Sequence, residues 1–354
     1  RSSGSSGALR GQSGLRIGQL AVPRKPLMYI VYPKLLAIQR YLLLFSVVCA
    51  RVGIGLACAT AVAVEPSVTA IAFAPDGHSV VVGSQAGLAV LSWPQLKPQK
   101  KIDTTLVNVH DLAFSPNGKS LAVAGGSPAE EGFVEVFAWP SGTAPSILNG
   151  HHDSVLAVTW RNDSTLATAS LDHEIAMWDV TTRQRTLRLR GHSRGVTTLK
   201  FLADQKTLVT GGLDQNLRVW DIESAQMLRT LNNHTREIHQ IAVRPATSGL
   251  PMIASVSDDR TVRIWQPTIG RMVRFAQLQT QPLAVDWLAD GSHIAVASID
   301  GHVRLIDPDT VEIVADFPAV AGWAYALAAH PDGTLLVGGQ DGQLQRIVPQ
   351  IPNP

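Results

Sequence analysis

Residues 155–179 read VLAVTWRNDSTLATASLDHEIAMWD, and residues 196–221 read VTTLKFLADQKTLVTGGLDQNLRVWD. Each stretch holds three apolar runs, separated by short polar breaks rich in Asp, Asn, Ser and Gly. Alternation of period two puts one set of side chains on one face of an extended strand, and the polar breaks supply tight turns. Both stretches therefore predict the same antiparallel meander of three strands.

Working outward, the unit recurs seven times. It opens as VTAIAFAPDG from Val68, VHDLAFSPNG from Val109, IHQIAVRPAT from Ile238, PLAVDWLADG from Pro282 and AYALAAHPDG from Ala324, besides Val155 and Val196. It closes at Trp93, Trp139, Trp178, Trp220, Trp265, Ile306 and Ile347, at spacings of 46, 39, 42, 45, 41 and 41 residues. That is the period of a propeller blade. Each fourth, outer strand is predicted in the segment before the next unit, as in Arg185–His192 and Gln226–His234. The fold class is all-β: a seven-bladed β-propeller of four-stranded antiparallel blades over residues 60–350, preceded by a non-globular leader and followed by a tail at 351–354. The seventh unit has only VPQIPNP after Ile347, and three prolines cannot pair as a strand. Its outer strand is expected from Thr60–Glu65, which would close the ring.

The pairs Trp178-Asp179 and Trp220-Asp221, with Gly150-His151 and Gly191-His192 upstream, resemble the WD-repeat propeller family over residues 67 to about 349. In that family a His, a Ser or Thr, a turn Asp and a Trp form a hydrogen-bonded chain that fixes each blade. The resemblance implies this role for His151, Ser170, Asp172 and Trp178, and for His234, Ser257, Asp259 and Trp265. It implies it also for His192, Asp214 and Trp220, with Gly212 where the hydroxyl is expected. Ser298 and Asp300 are the matching residues of unit six, and Asp341 that of unit seven. The five aspartates each stand six residues before their unit's end point. Because these groups recur once per blade, they read as architectural and not as a metal or acid–base site.

Charge divides the chain. Of the 30 Lys and Arg, eight lie in residues 1–63, which hold none of the 28 Asp and Glu. The remainder has 22 basic against 28 acidic residues, a net of −6, which argues against nucleic acid as a partner. Both cysteines, Cys49 and Cys58, precede the repeats, so the repeats have no thiolate chemistry. Residues 1–27 read as a disordered or non-native leader. Residues 28–59 read as a signal peptide or membrane anchor: a basic start, an apolar run and overlapping small-residue sites. Residues 41–63 are long enough to remain in a bilayer, although Arg51 interrupts them; an organelle transit peptide also fits. Sparing the closing strand requires processing after Ala59, or after Ala61 at the latest.

No nucleophile motif, phosphate loop or cofactor signature occurs in the repeats. The expectation is an exported, bacterial-type WD-repeat propeller that binds protein partners and is neither an enzyme nor a cofactor protein. The alternatives are a membrane-anchored propeller sensor domain outside the cytoplasm and a cofactor-dependent propeller enzyme. By analogy with relatives, the partner-facing entrance is expected at Leu156, Leu171, Thr197, Leu213, His239, Asp258, Ile299 and Tyr325.

Overall fold

In six of the units the turn after the first strand is set by a short polar side chain. Asp76 Oδ1 accepts the His78 and Ser79 N–H groups at 2.8 and 3.1 Å. Asn117, Asn162, Asp204, Asp290 and Asp332 accept N–H groups two residues on in the same way. Such Asx turns reverse the chain within a few residues, so consecutive strands pair with each other.

The structure is a computed structural model that describes residues 65–143, 145–245 and 249–350. Blade 1 comprises β1 (Ala70–Phe73), β2 (Ser79–Ser84), β3 (Gly87–Ser92) and β4 (Pro98–Ile102); blade 2 comprises β5 (Val109–Phe114), β6 (Ser120–Ser127), β7 (Glu131–Ala138) and β8 (Ser146–His151). Blade 3 is β9 (Val155–Trp160), β10 (Thr165–Ser170), β11 (Glu174–Asp179) and β12 (Gln184–Arg190). Blade 4 is β13 (Val196–Phe201), β14 (Thr207–Gly212), β15 (Leu217–Asp221) and β16 (Gln226–Leu231). Blade 5 is β17 (Ile238–Val243), β18 (Ile253–Ser257), β19 (Thr261–Gln266) and β20 (Arg271–Gln277). Blade 6 is β21 (Pro282–Trp287), β22 (Ile294–Ser298), β23 (His302–Ile306) and β24 (Ile313–Pro318). Blade 7 shows β25 (Ala324–Ala329), β26 (Leu335–Gly339) and β27 (Leu344–Ile347). Each blade is an antiparallel meander in sequence order. The expected seven-bladed fold is the observed one. The expectations for residues 1–59, the processing site and the closing strand fall outside the described residues, Glu65 excepted.

Register corrects two of the expected end points. Leu166 pairs with Trp178, Leu208 with Trp220 and Ile253 with Trp265. The equivalent pairs in the first two blades are Val80 with Leu91 and Leu121 with Phe137. Leu91 and Phe137 thus hold the place assigned from sequence to Trp93 and Trp139. A slip of two residues keeps the same strand face, so alternation alone could not reveal it.

The core lies between blades. Among the described residues seven apolar clusters occur, one for each joint between neighbouring sheets. The joint between blades 7 and 1 is one of them: Val68, Val80, Val82, Leu91 and Trp93 pack with Ala326 and Leu336. There the Val68 N–H also donates to Gly339 O at 3.0 Å. Inner strands are stitched directly. Val158 N–H donates to Asp111, Ile241 N–H to Thr198, Val285 N–H to Gln240 and Ala329 N–H to Asp286, at 2.9 to 3.1 Å. Burial pushes the Asp286 carboxyl pKa up, against the N–H groups of Ala329 and Trp287.

Candidate partner-binding face

Three joints carry a polar lock. His151 ends the outer strand of blade 2, yet its ring reaches into blade 3: Nδ1 lies 2.8 Å from Asp172 Oδ2, and Nε2 lies 2.7 Å from Thr168 Oγ1. Trp178 Nε1–H donates to the same hydroxyl at 2.9 Å. His192 joins blades 3 and 4 through Asp214 at 2.9 Å and Thr210 at 2.8 Å, with Trp220 donating to Thr210 at 3.0 Å. His234 joins blades 4 and 5 through Asp259 at 2.8 Å and Ser255 at 2.7 Å, with Trp265 donating to Ser255 at 2.8 Å. At His151 the shared hydroxyl accepts the Trp178 N–H and donates to Nε2, which puts the ring proton on Nδ1, facing Asp172.

These contacts correct the expected hydroxyls. The bridging groups are Thr168 and Ser255, each two residues before Ser170 and Ser257, and Thr210 completes the lock in which Gly212 was expected to leave a gap. Ser170 and Ser257 have another task. They accept the Asp172 and Asp259 N–H groups and donate to Asp153 O and Arg236 O, holding the turn beneath the aspartate. Ser298 is buried, and its hydroxyl has no hydrogen-bond partner among the described residues. Asp300 instead accepts Arg304 at 2.7 Å. Asp341 is exposed in a left-handed conformation (φ 57°).

Electrostatics follow from burial and pairing. Burial works against the Asp214 carboxylate. The His192 hydrogen bond, the Ser193 N–H and the Arg218 guanidinium outweigh it and hold the pKa well below the ordinary carboxylate range. Asp259 is depressed likewise by His234, Thr261 and the Thr235 N–H. Burial pushes His192 and His234 below the usual histidine value, against their aspartates. Both nitrogens of each locking imidazole are occupied and their side chains are at most 1% exposed. No proton acceptor is left for a substrate.

Where the lock is missing, its His, hydroxyl and Trp positions change together, while the turn aspartates Asp300 and Asp341 remain outside the buried set. The joint between blades 5 and 6 has Leu278, Val296 and Ile306 in one apolar cluster, and that between blades 6 and 7 has Val320, Val337 and Ile347. Replacing every partner of a buried polar set by apolar groups avoids an orphaned donor, whereas replacing one creates it. Between blades 1 and 2, Glu135 is fully buried and accepts both hydroxyls of Thr104 and Thr105 and the Thr105 N–H.

The entrance faces the end of the disc where second strands turn into third strands. Leu171 and Leu213 approach Gly195 from both sides: a Cβ there would lie 2.7 Å from Leu171 Cδ2 and 3.3 Å from Leu213 Cδ1. His239 Nε2 lies 2.6 Å from Asp258 Oδ1, so these two expected residues form one pair. Arg194, missed from sequence, donates to Leu213 O and to Glu237, both at 3.0 Å. Leu156 and Ile299 are half-buried. Thr197 and Tyr325 are buried, and Thr197 donates to Gly211 O and Ile238 O across the joint; these two lie beneath the surface instead of on it. Among the described residues no group of three or more His, Cys, Asp or Glu could hold a metal ion. None of their helices is long and apolar enough to cross a membrane.

Comparison with known proteins places this architecture. The family described as WD domain, G-beta repeat matches residues 142–179, 183–221, 225–266 and 277–307, the blades with the locks and the one after them. Four repeats of that family thus lie within this seven-bladed β-propeller. It is 28% identical over 265 residues to a guanine nucleotide-binding protein subunit beta of Zea mays, covering 72% of this chain and 58% of that protein. It is 25% identical over 239 residues to telomerase protein component 1 of Rattus norvegicus, 65% of this chain and 9% of that protein. It is 28% identical over 163 residues to THO complex subunit 3 of Arabidopsis thaliana, 45% of this chain and 38% of that protein. In each case the match spans less than two thirds of the relative.

Proposed function

We propose that this chain is an exported, non-catalytic scaffold that holds a protein partner across the entrance formed by blades 3 to 5. One coincidence carries the reading. The three polar locks fix the joints of that arc, and the same arc presents Leu171 and Leu213 beside the Arg194–Glu237 and His239–Asp258 pairs. Apolar side chains among oriented ionic groups, mounted on rigid strands, lose little entropy on contact. Two of the relatives are named as subunits, which supports a place in an assembly. Export rests on the basic and apolar sequence of residues 28–59 and its small-residue sites. Residues 41–63 supply the attachment if that segment is kept.

The test is affinity capture from the exported and membrane fractions with wild-type chain, Leu171→Asp and Leu213→Asp. A partner retained by wild type and lost from both variants supports the reading, and equal retention contradicts it. The mature N-terminus from the same sample is expected at Thr60 or Val62; an intact chain confined to the cytosol contradicts export.

A further inference from the structure

The outer strands of blades 3, 4 and 5 carry six arginines (Arg185, Arg188, Arg190, Arg229, Arg271 and Arg274) and no Asp or Glu. This basic stretch belongs to a body whose net charge is negative. Arg188 and Arg190 are answered by Glu174. Arg271 and Arg274 are exposed and make no ion pair among the described residues. Four large apolar side chains of the same two blades, Met227 and Leu228 on β16 and Ile269 and Phe275 in blade 5, are each 47–53% exposed. Arg229 on β16 donates to Thr268 O in blade 5, bringing the two blade edges together at Ile269. Arg263 lies over the Phe275 ring, 5.2 Å from its centroid.

Charged edge strands commonly serve only to block strand-to-strand aggregation. The edge of blade 1 is built that way: β4 reads PQKKI and exposes Pro98 and Lys101 but no large apolar side chain. β16 and β20 differ, because four large apolar groups accompany the arginines. Arg, Met and Phe are enriched at interface centres, and exposed aliphatic side chains add nothing to phosphate binding. β20 also ends its sheet, so one row of backbone N–H and C=O groups faces outward.

We propose that the rim of blades 4 and 5 is a second docking surface, on which an extended segment of a partner protein with alternating acidic and apolar residues adds as a strand to the edge of β20. Its carboxylates pair with Arg271 and Arg274, and its apolar side chains cover Ile269 and Phe275. The surface lies on the circumference, away from the entrance, and does not depend on what the entrance binds.

The probe is a fluorescently labelled octapeptide alternating Glu with Leu and Phe, titrated into the full chain and followed by anisotropy. Three variants are compared: Arg271→Glu with Arg274→Glu, Phe275→Asp, and Leu213→Asp, each checked for an unchanged urea midpoint. Saturable binding that weakens at least about tenfold in both rim variants and not in Leu213→Asp supports the proposal. Two rim variants keep the test valid if one fails to fold. No binding, binding indifferent to the rim variants, equal binding of an all-Glu peptide, or displacement of the peptide by a tighter-binding oligouridylate would overturn it.

Discussion

His151 belongs by chain order to blade 2 but is bonded to Asp172 of blade 3, 2.8 Å away. The histidine therefore joins blades and does not brace one internally, and the same holds for His192 and His234. The hydroxyl between His and Trp is the centre of each joint. Thr168→Val leaves the Trp178 N–H and the His151 ring nitrogen without their shared partner in a dry site, and should cost about 1–3 kcal/mol. Ser298→Ala removes a buried hydroxyl with no hydrogen-bond partner among the described residues, and should change stability by less than about 0.5 kcal/mol. Urea unfolding of both variants checks the contrast; equal losses would contradict it.

Acid should loosen the ring in two stages. His192 and His234 have pKa values lowered by burial. Such a group stabilises the fold above its unfolded value of about 6.5, and that contribution is lost as pH falls through the folded value. The depressed Asp214 and Asp259 contribute above about 4 and lose that as pH falls further. The melting temperature should hold from pH 8 to 7, decline below about 6.5 and fall more steeply below about 4. A flat profile down to pH 4 would refute the buried-neutral histidines.

Gly195 keeps the floor of the entrance open. A methyl group there meets both Leu171 and Leu213, so Gly195→Ala must displace them, with an expected loss of about 1–3 kcal/mol from overpacking. Partner capture should weaken with it. A variant with wild-type melting and capture would show that the two leucines are free to move.

The seven blades were legible because a period near 42 residues and strict punctuation by Asp, Asn and Gly survive divergence. The locks were harder to read. Thr168, Thr210 and Ser255 stand ten residues before Trp178, Trp220 and Trp265, an offset as constant as that of the aspartates, but Ser170 and Ser257 sit two places on, where one strand face repeats. The displaced end points at Trp93 and Trp139 fail for the same reason: period two is blind to a two-residue slip. Burial of Thr197 and Tyr325 could not be seen, since it depends on how the neighbouring blade covers them. Arg218, Arg263 and Arg304 each stand four residues after the turn aspartate they pair with, an offset constant in the sequence that shows no pairing until the strands are placed.

Ring closure gives a further expectation. Outer strands end four to seven residues before the next inner strand, as at 151 to 155 and 102 to 109. Counted back from the start of β1 at Ala70, the proposed closing strand ends between residues 63 and 66, and Glu65 already abuts Gly342 just ahead of β27. A chain beginning at Thr60 should melt well above one beginning at Glu65. Equal melting would remove Thr60–Glu65 from the seventh sheet.

The decisive question is which end of the disc meets the partner. A photo-crosslinking amino acid placed at position 213, and separately at position 182 in the turn at the opposite end of blade 3, tests this most directly. Light-induced adducts to one protein from position 213 and none from 182, in exported material, is the predicted result. Adducts from 182 alone, or from neither position, would contradict a partner held over blades 3 to 5.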